Sequence, residues 1–301
     1  MRFEIVHTDY LFFLFLIPLF ILLYFFTSGI RKKRALKFAN FEAISRVTGI
    51  DFISKNPLPL VFHCILIFFI VLYASKVNVY TEGEISDFSF IIAIDSSSSM
   101  ATSDVLPTRL DYAKNIAKEI VNELPEETKI GVVSFGAYSF IETEIIKDKL
   151  KVKKAIENVA PRGIGGTGFY ESIITSANLL SEEEGKVMII LSDGQINLPD
   201  LENAINYAMK KGIKVYTIPI GTEEGGKFLE GVSKLNKEPL KAISYQTNGE
   251  MIEGNSTEEI IQNLKKSISI RKGIIKKDIS SYALYLFFLL FTIEFIIVNI
   301  K

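Results

Sequence analysis

The 301-residue sequence has no tryptophan, a single cysteine and two histidines. One cysteine, Cys64, excludes an internal disulfide and any zinc knuckle built on thiolates. His7 and His63 flank or lie within apolar runs, so the polar middle of the chain has no histidine. A serine hydrolase would lack its base there, and no Gly-x-Ser-x-Gly occurs at the serines. An excess of one charge is also missing. Lys and Arg number 34 against 35 Asp and Glu, for a formal net charge of −1. No global field then favours nucleic acid or an acidic polymer as partner.

Phenylalanine is abundant, with 23 residues, and many of these fall in three apolar runs. Tyr10–Phe26 has 17 residues without a charge, Leu58–Ser75 has 18, and Tyr282–Ile300 has 19 with one carboxylate, Glu294. Each approaches the roughly 20 residues that cross a bilayer core as a helix. The first run lacks a strong basic head and a small-residue cleavage site, so it reads as a retained helix rather than a signal peptide. Pro18 is expected to kink it. The predicted layout is a tail over 1–9, membrane helices over 10–26, 58–75 and 282–300, and a basic loop over 27–57. About 200 residues remain, enough for one domain, placed over 84–270.

The loop carries Arg31, Lys32, Lys33, Arg34, Lys37, Arg46 and Lys55 against Glu42 and Asp51. The positive-inside rule puts it in the cytoplasm and residues 76–281 on the extracytoplasmic side of the cell membrane. Lys265, Lys266, Arg271, Lys272, Lys276 and Lys277 pull the other way, a pull that long domains override. Glu294 is expensive in lipid. It either contacts another membrane helix or, as its place near the cytoplasmic end favours, snorkels or is protonated. His63 and Cys64 read as passengers of the second helix.

The middle alternates between strand and helix patterns. Phe88–Ile94 is a continuous apolar run, as in a strand covered on both faces. Thr108–Leu124 has apolar residues at helical spacing and stops at Pro125. Strands are predicted over Lys129–Gly136, Val187–Ser192 and Ile213–Gly221. Tyr138–Ile146 follows within a hairpin's reach, as an antiparallel edge strand. Helices are predicted over Leu150–Val159, Phe169–Leu180, Leu201–Lys211, Lys227–Asn236, Pro239–Thr247 and Thr257–Ser267, with a short edge strand at Gly249–Ile252. The fold class is therefore α/β, with a doubly wound, mostly parallel sheet and three transmembrane helices. Such folds hold their sites at the carboxyl ends of the strands.

"AIDSSSSM" leaves the first strand with an aspartate and four serines. A linker does not fit directly after a buried strand. Alternate residues of an extended turn point the same way, so Asp95, Ser97 and Ser99 face one point while Ser96 and Ser98 face away. Thr167 in "GGTG" and Asp193 in "LSDG" come to the same rim and complete an all-oxygen shell. Hard divalent cations such as Mg²⁺ take such shells. "GGTG" is not a phosphate-binding P-loop, because no Gly-Lys-Ser/Thr follows.

Asp-x-Ser-x-Ser, then Thr, then Asp resembles the metal-ion-dependent adhesion site of von Willebrand factor A domains. The resemblance spans about residues 86–267. It implies that Ser97, Ser99 and Thr167 touch the metal, while Asp95 and Asp193 act mostly through waters. Many members have glycine where Ser98 stands. "SMATSDVLPTRLDYAKNIAKEI" is similar to the segment after the metal motif in aerotolerance (Bat-type) membrane proteins, where Asp, Pro, Arg-Leu and Ala-Lys recur at these offsets. "GVVSFGAYSF" and "LKAISYQTNGEMI" resemble the same group, as does the layout of two helices, domain and third helix. No repeat domain is read after the third helix, so the resemblance is to the shorter members of that group.

The resemblance implies a non-enzymatic module, dependent on Mg²⁺ or Mn²⁺, that captures an Asp or Glu of a partner protein. Two other readings are a scaffold assembling with related membrane proteins around a structural metal, and a phosphotransferase using Asp95 as nucleophile. The last usually wants a second acid two residues on, where Ser97 stands.

Overall fold

The computed structural model describes residues 2–35, 58–162, 168–196, 198–228, 231–268 and 270–299. Most of the predicted basic loop and the 163–167 turn with Thr167 lie outside the described residues. The chain divides into two units, Gly83–Gly273 and Met1–Glu82 with Ile274–Lys301.

The larger unit is built on a five-stranded sheet. Its strands are β3 (Phe88–Asp95), β4 (Ile130–Phe135), β5 (Ser139–Ile146), β6 (Gly185–Ser192) and β7 (Lys214–Pro219). Their order is β5-β4-β3-β6-β7, all parallel except the β4–β5 pair. The predicted α/β class, mostly parallel sheet and antiparallel edge strand are all present.

The side-chain period of two explains why both faces are covered. Phe90, Ile92 and Ile94 of β3 point to one side. They pack with Ile116, Ile120 and Val121 of α3 (Arg109–Glu123), Val152 and Ile156 of α4 (Lys149–Asn158), and Ile260 and Leu264 of α8 (Thr257–Ser267). Ile91 and Ala93 point to the other. They pack with Phe169 and Ile173 of α5 (Phe169–Leu179), Ala204 and Ile205 of α6 (Leu198–Lys211), and Ile243 of α7 (Lys237–Gln246). Cutting one of these buried isoleucines to alanine costs about 2–5 kcal/mol.

Two local expectations fail. Residues 227–236 are not a helix. They contribute to a hairpin of β8 (Gly226–Phe228) and β9 (Gly231–Ser233), followed by an extended stretch up to α7. Glycine is a poor helix former, and Gly225, Gly226 and Gly231 crowd this segment. A Cβ on Gly226 would lie 2.2 Å from the Thr102 methyl, so the close packing itself requires glycine. The edge strand foreseen at 249–252 shrinks to one parallel bridge, Thr217 to Met251.

The smaller unit holds α1 (Leu16–Ala35), α2 (Leu58–Ala74) and α9 (Ser280–Asn299), with α2 packed on both others. A 3₁₀ segment, Thr8–Phe15, precedes α1. Pro18 consequently falls in the first α-helical turn, where its missing N–H is not needed, rather than at a mid-helix kink. Among the described residues, two helical stretches are long and apolar enough to cross a membrane, Thr8–Thr27 and Ser280–Ile297. Three were expected. The apolar α2 has 17 residues, about 25 Å at 1.5 Å per residue.

A small sheet of order β1-β2-β10 was not foreseen. β1 (Arg2–Ile5) pairs antiparallel with β2 (Val77–Ser86), matching Arg2 to Tyr80 and Ile5 to Val77, and β10 is Ile270–Asp278. Tyr80 Oη donates to Glu4 at 2.6 Å, and Lys276 Nζ lies 3.1 Å from the same carboxylate. Glu294 does not reach a helix end. It is buried, with Oε1 3.0 Å from His63 Nδ1, and the His63 ring stacks on Phe20 at 5.6 Å. One polar pair and one ring contact thus link all three helices.

Candidate metal centre

β3 and β6 are parallel neighbours with Ile94 opposite Leu191, so Asp95 and the Ser192-Asp193 pair leave the sheet side by side. Asp95 is fully buried. Its Oδ1 accepts from Ser97 N at 2.9 Å and its Oδ2 from Ser192 Oγ at 2.6 Å. The serine tract is extended only as far as Ser97, and a 3₁₀ turn runs from Ser98 to Ala101. Ser97 Oγ and Ser99 Oγ lie 3.1 Å apart, while Ser96 Oγ turns to the Phe135 carbonyl at 3.0 Å.

Asp193 is also fully buried. Its Oδ2 accepts from Arg109 Nη1 at 2.9 Å and its Oδ1 from Gln195 N at 3.2 Å. The turn depends on Gly194, whose φ is +72°, a region that favours glycine. A Cβ there would stand 1.9 Å from the Asn236 carbonyl oxygen. Asn236 N in turn donates to the Asp193 carbonyl at 2.8 Å. The segment misread as helix therefore forms a wall beside the site.

Thr167 lies outside the described residues, but the end of its loop is placed. Gly168 N donates to the Gly136 carbonyl. Asp200 Oδ2, from the first turn of α6, accepts from Phe169 N at 3.0 Å and Tyr170 N at 3.2 Å. A carboxylate thus caps the N-terminus of α5 and fixes where the loop must end.

The electrostatics are uneven. Burial, and then the charge of Asp193, push the Asp95 carboxyl up to about 7, against the pull of its hydrogen bonds from Ser192 and Ser97. Burial works against Asp104 too, but hydrogen bonds from Arg109 and Thr222 outweigh it and hold that carboxyl at about 2. When all three are ionised, Asp95, Asp104 and Asp193 bring three negative charges against one positive on Arg109, which leaves two negative charges in a cluster nearly sealed from water and accounts for the raised Asp95 carboxyl. A divalent cation has the charge that balances them. Among the described residues no group of three or more His, Cys, Asp or Glu side chains is placed to hold a metal. Hydroxyls such as Ser97 and Ser99 are further oxygen donors at this rim, of the kind that a hard ion takes. The donor set fits the group that the motif implies.

Sequence reasoning missed Asp104, Arg109, Ser192 and Ser233 as parts of this centre. The signal for two of them was on the page. Asp104 and Arg109 are the Asp and the Arg of the offsets shared with the aerotolerance-type segment.

A family model described as von Willebrand factor type A domain matches residues 90–195. A UPF0353 protein of Nocardia farcinica is 27% identical over 275 residues, covering 82% of each chain. A UPF0353 protein of Mycolicibacterium paratuberculosis is 27% identical over 257 residues, 76% of this chain and 74% of that one. Among solved structures, an aerotolerance-related membrane protein from Bacteroides fragilis superposes with a TM-score of 0.55 at 24% identity. The conserved hypothetical protein BatB from Bacteroides thetaiotaomicron gives 0.54 at 28%. Each superposition covers 60% of this chain and 98% of the other. The serine-rich rim, the doubly wound sheet beneath it and these likenesses agree on a von Willebrand factor type A-like domain, matched over residues 90–195.

Proposed function

We propose that this protein is a membrane-held module that binds a partner protein through a divalent cation at the rim of its sheet. Mg²⁺, with Mn²⁺ as a substitute, would be held by Ser97, Ser99 and Thr167, with Asp95 and Asp193 balancing its charge. When bound, the ion supplies a Lewis-acidic position open to one external ligand. The observation that carries this reading is the pair of fully buried, adjacent carboxylates beside two converging hydroxyls, with two negative charges left unbalanced. The hydroxyls add no charge of their own. An incoming Asp or Glu is attracted more strongly in such a dry rim than in bulk water. Both oxygens of Asp95 are already engaged by Ser97 N and Ser192 Oγ, which favours a holding role over a nucleophilic one.

The three apolar helices would anchor the module, with α2 sheltered by α1 and α9. β1 and β2 are paired, so residues 2–5 and 77–80 share one side of any membrane that these helices cross. The basic loop assigns that side to the exterior.

The test is crosslinking with mass spectrometry on native membranes, with and without chelator. Cross-links from the 84–270 region to a second protein should be lost in chelator, in Asp95→Ala and in Thr167→Ala. Equal cross-links under all four conditions would remove the metal from recognition.

A further inference from the structure

The centre contains an element that the adhesion-site motif does not describe. Among the described residues, Arg109 is the largest fully buried side chain. All five of its guanidinium N–H groups have acceptors. Nε donates to Asp104 Oδ1 at 2.7 Å, and Nη2 to Asp104 Oδ2 at 2.8 Å and the Ser233 carbonyl at 2.8 Å. Nη1 donates to Asp193 Oδ2 at 2.9 Å and Ser233 Oγ at 3.0 Å. Asp104 also accepts from Thr222 N and Oγ1, both at 2.9 Å. The guanidinium lies against Gly221, whose φ is +130°, and a Cβ there would stand 2.9 Å from Nε. The site has left room for this group.

A guanidinium keeps its charge at any physiological pH, and a lysine ammonium cannot reproduce the five-fold fork. Its place beside one of the two acids of the centre is therefore a fixed charge at fixed distance. We propose that the Asp104–Arg109 pair sets the cation affinity of the centre from behind. Arg109 draws on the charge of Asp193 and weakens its hold on a cation, and Asp104 returns part of that hold. The pair acts through Asp193 and is a positioning and charge-setting device, not a ligand. This inference rests on the proposed cation reading of the same rim.

The two members of the pair are predicted to act with opposite sign. In the full chain in detergent, Mn²⁺ affinity is read from the free-ion electron paramagnetic resonance signal. Arg109→Gln should bind Mn²⁺ more tightly than wild type, on the order of tenfold, because one repelling charge is gone. Asp104→Asn should bind it more weakly by a similar factor, because one attracting charge is gone. The Asp104→Asn/Arg109→Gln double variant should return close to wild type. A purely structural pair would weaken binding in both single variants, or in neither, and its recovery in the double would not separate the two accounts. Either pattern overturns the inference while leaving the cation site standing. Absence of Mn²⁺ binding by wild type overturns both. If Arg109→Gln fails to fold, Asp104→Asn still decides: weaker Mn²⁺ binding with an unchanged melting temperature supports the inference, and unchanged Mn²⁺ affinity overturns it.

Discussion

Asp95 shows at the scale of one residue what the empty charge balance does to the protein. Its carboxyl is raised to about 7 in the folded state against an ordinary value near 3.8, by burial first and by Asp193 second. A group raised in this way contributes stability below its unfolded value and loses it as pH climbs through the folded one. In chelator, the protein should therefore melt at a higher temperature at pH 5 than at pH 8. With Mg²⁺ the carboxylate gains a partner, and the fall with pH should flatten. Calorimetric scans at the two pH values, with and without the ion, measure this. The same downward slope in both conditions would mean that Asp95 feels no cation.

Asp95, Ser97, Ser99 and Asp193 were legible because each belongs to a short local pattern at the end of a strand. Arg109 was not. Its acceptors Asp193 and Ser233 are 84 and 124 residues away in sequence, and a lone arginine at the start of a helix ordinarily reads as solvated.

At the scale of elements, α5 depends on a cap supplied from outside itself. Gly168 gives no side-chain cap, and Asp200 of α6 takes both Phe169 N and Tyr170 N. Tyr170 and Tyr207 meet edge-on at 6.0 Å alongside and keep the two helices together. Asp200→Ala should destabilise the fold by about 1–2 kcal/mol, the usual range for a lost cap. Asp200→Asn should lose less, since it keeps an acceptor and gives up only the charge. Urea unfolding monitored by circular dichroism measures both, and equal stabilities for all three proteins would remove the cap from the account. The helices were readable from the sequence because their apolar residues recur at 3.6. The β8–β9 hairpin was not, because Phe228, Val232 and Leu235 imitate that spacing while the glycines around them decide otherwise. β1 and β10 escaped notice for a different reason. Short, charged strands carry little periodic signal, and their partner β2 lies far off in sequence.

If the apolar helices cross a membrane as proposed, the β1–β2 pairing decides which segments share a side. In a Cys64→Ser background, Asp9→Cys and Lys154→Cys should both react with a membrane-impermeant maleimide on intact cells. Lys37→Cys should react only after lysis. Opposite labelling of Asp9→Cys and Lys154→Cys would contradict the pairing, and reaction of Lys37→Cys on intact cells would invert the assignment. Glu294 shows why the last helix needs its neighbours. Alone in lipid its carboxyl is costly, but in the bundle it faces His63.

The small sheet also has a consequence for how the chain is made. Its strands come from residues 2–5, 77–86 and 270–278, so it joins segments that are synthesised far apart in time. At about 5–20 residues per second, β1 waits seconds for β2, and β2 waits tens of seconds more for β10. Until the ribosome has released the third strand, β2 carries an unsatisfied edge. A polypeptide cut short anywhere in the domain keeps that edge open, which marks it as unfinished to any protease that reads extended, unpaired backbone.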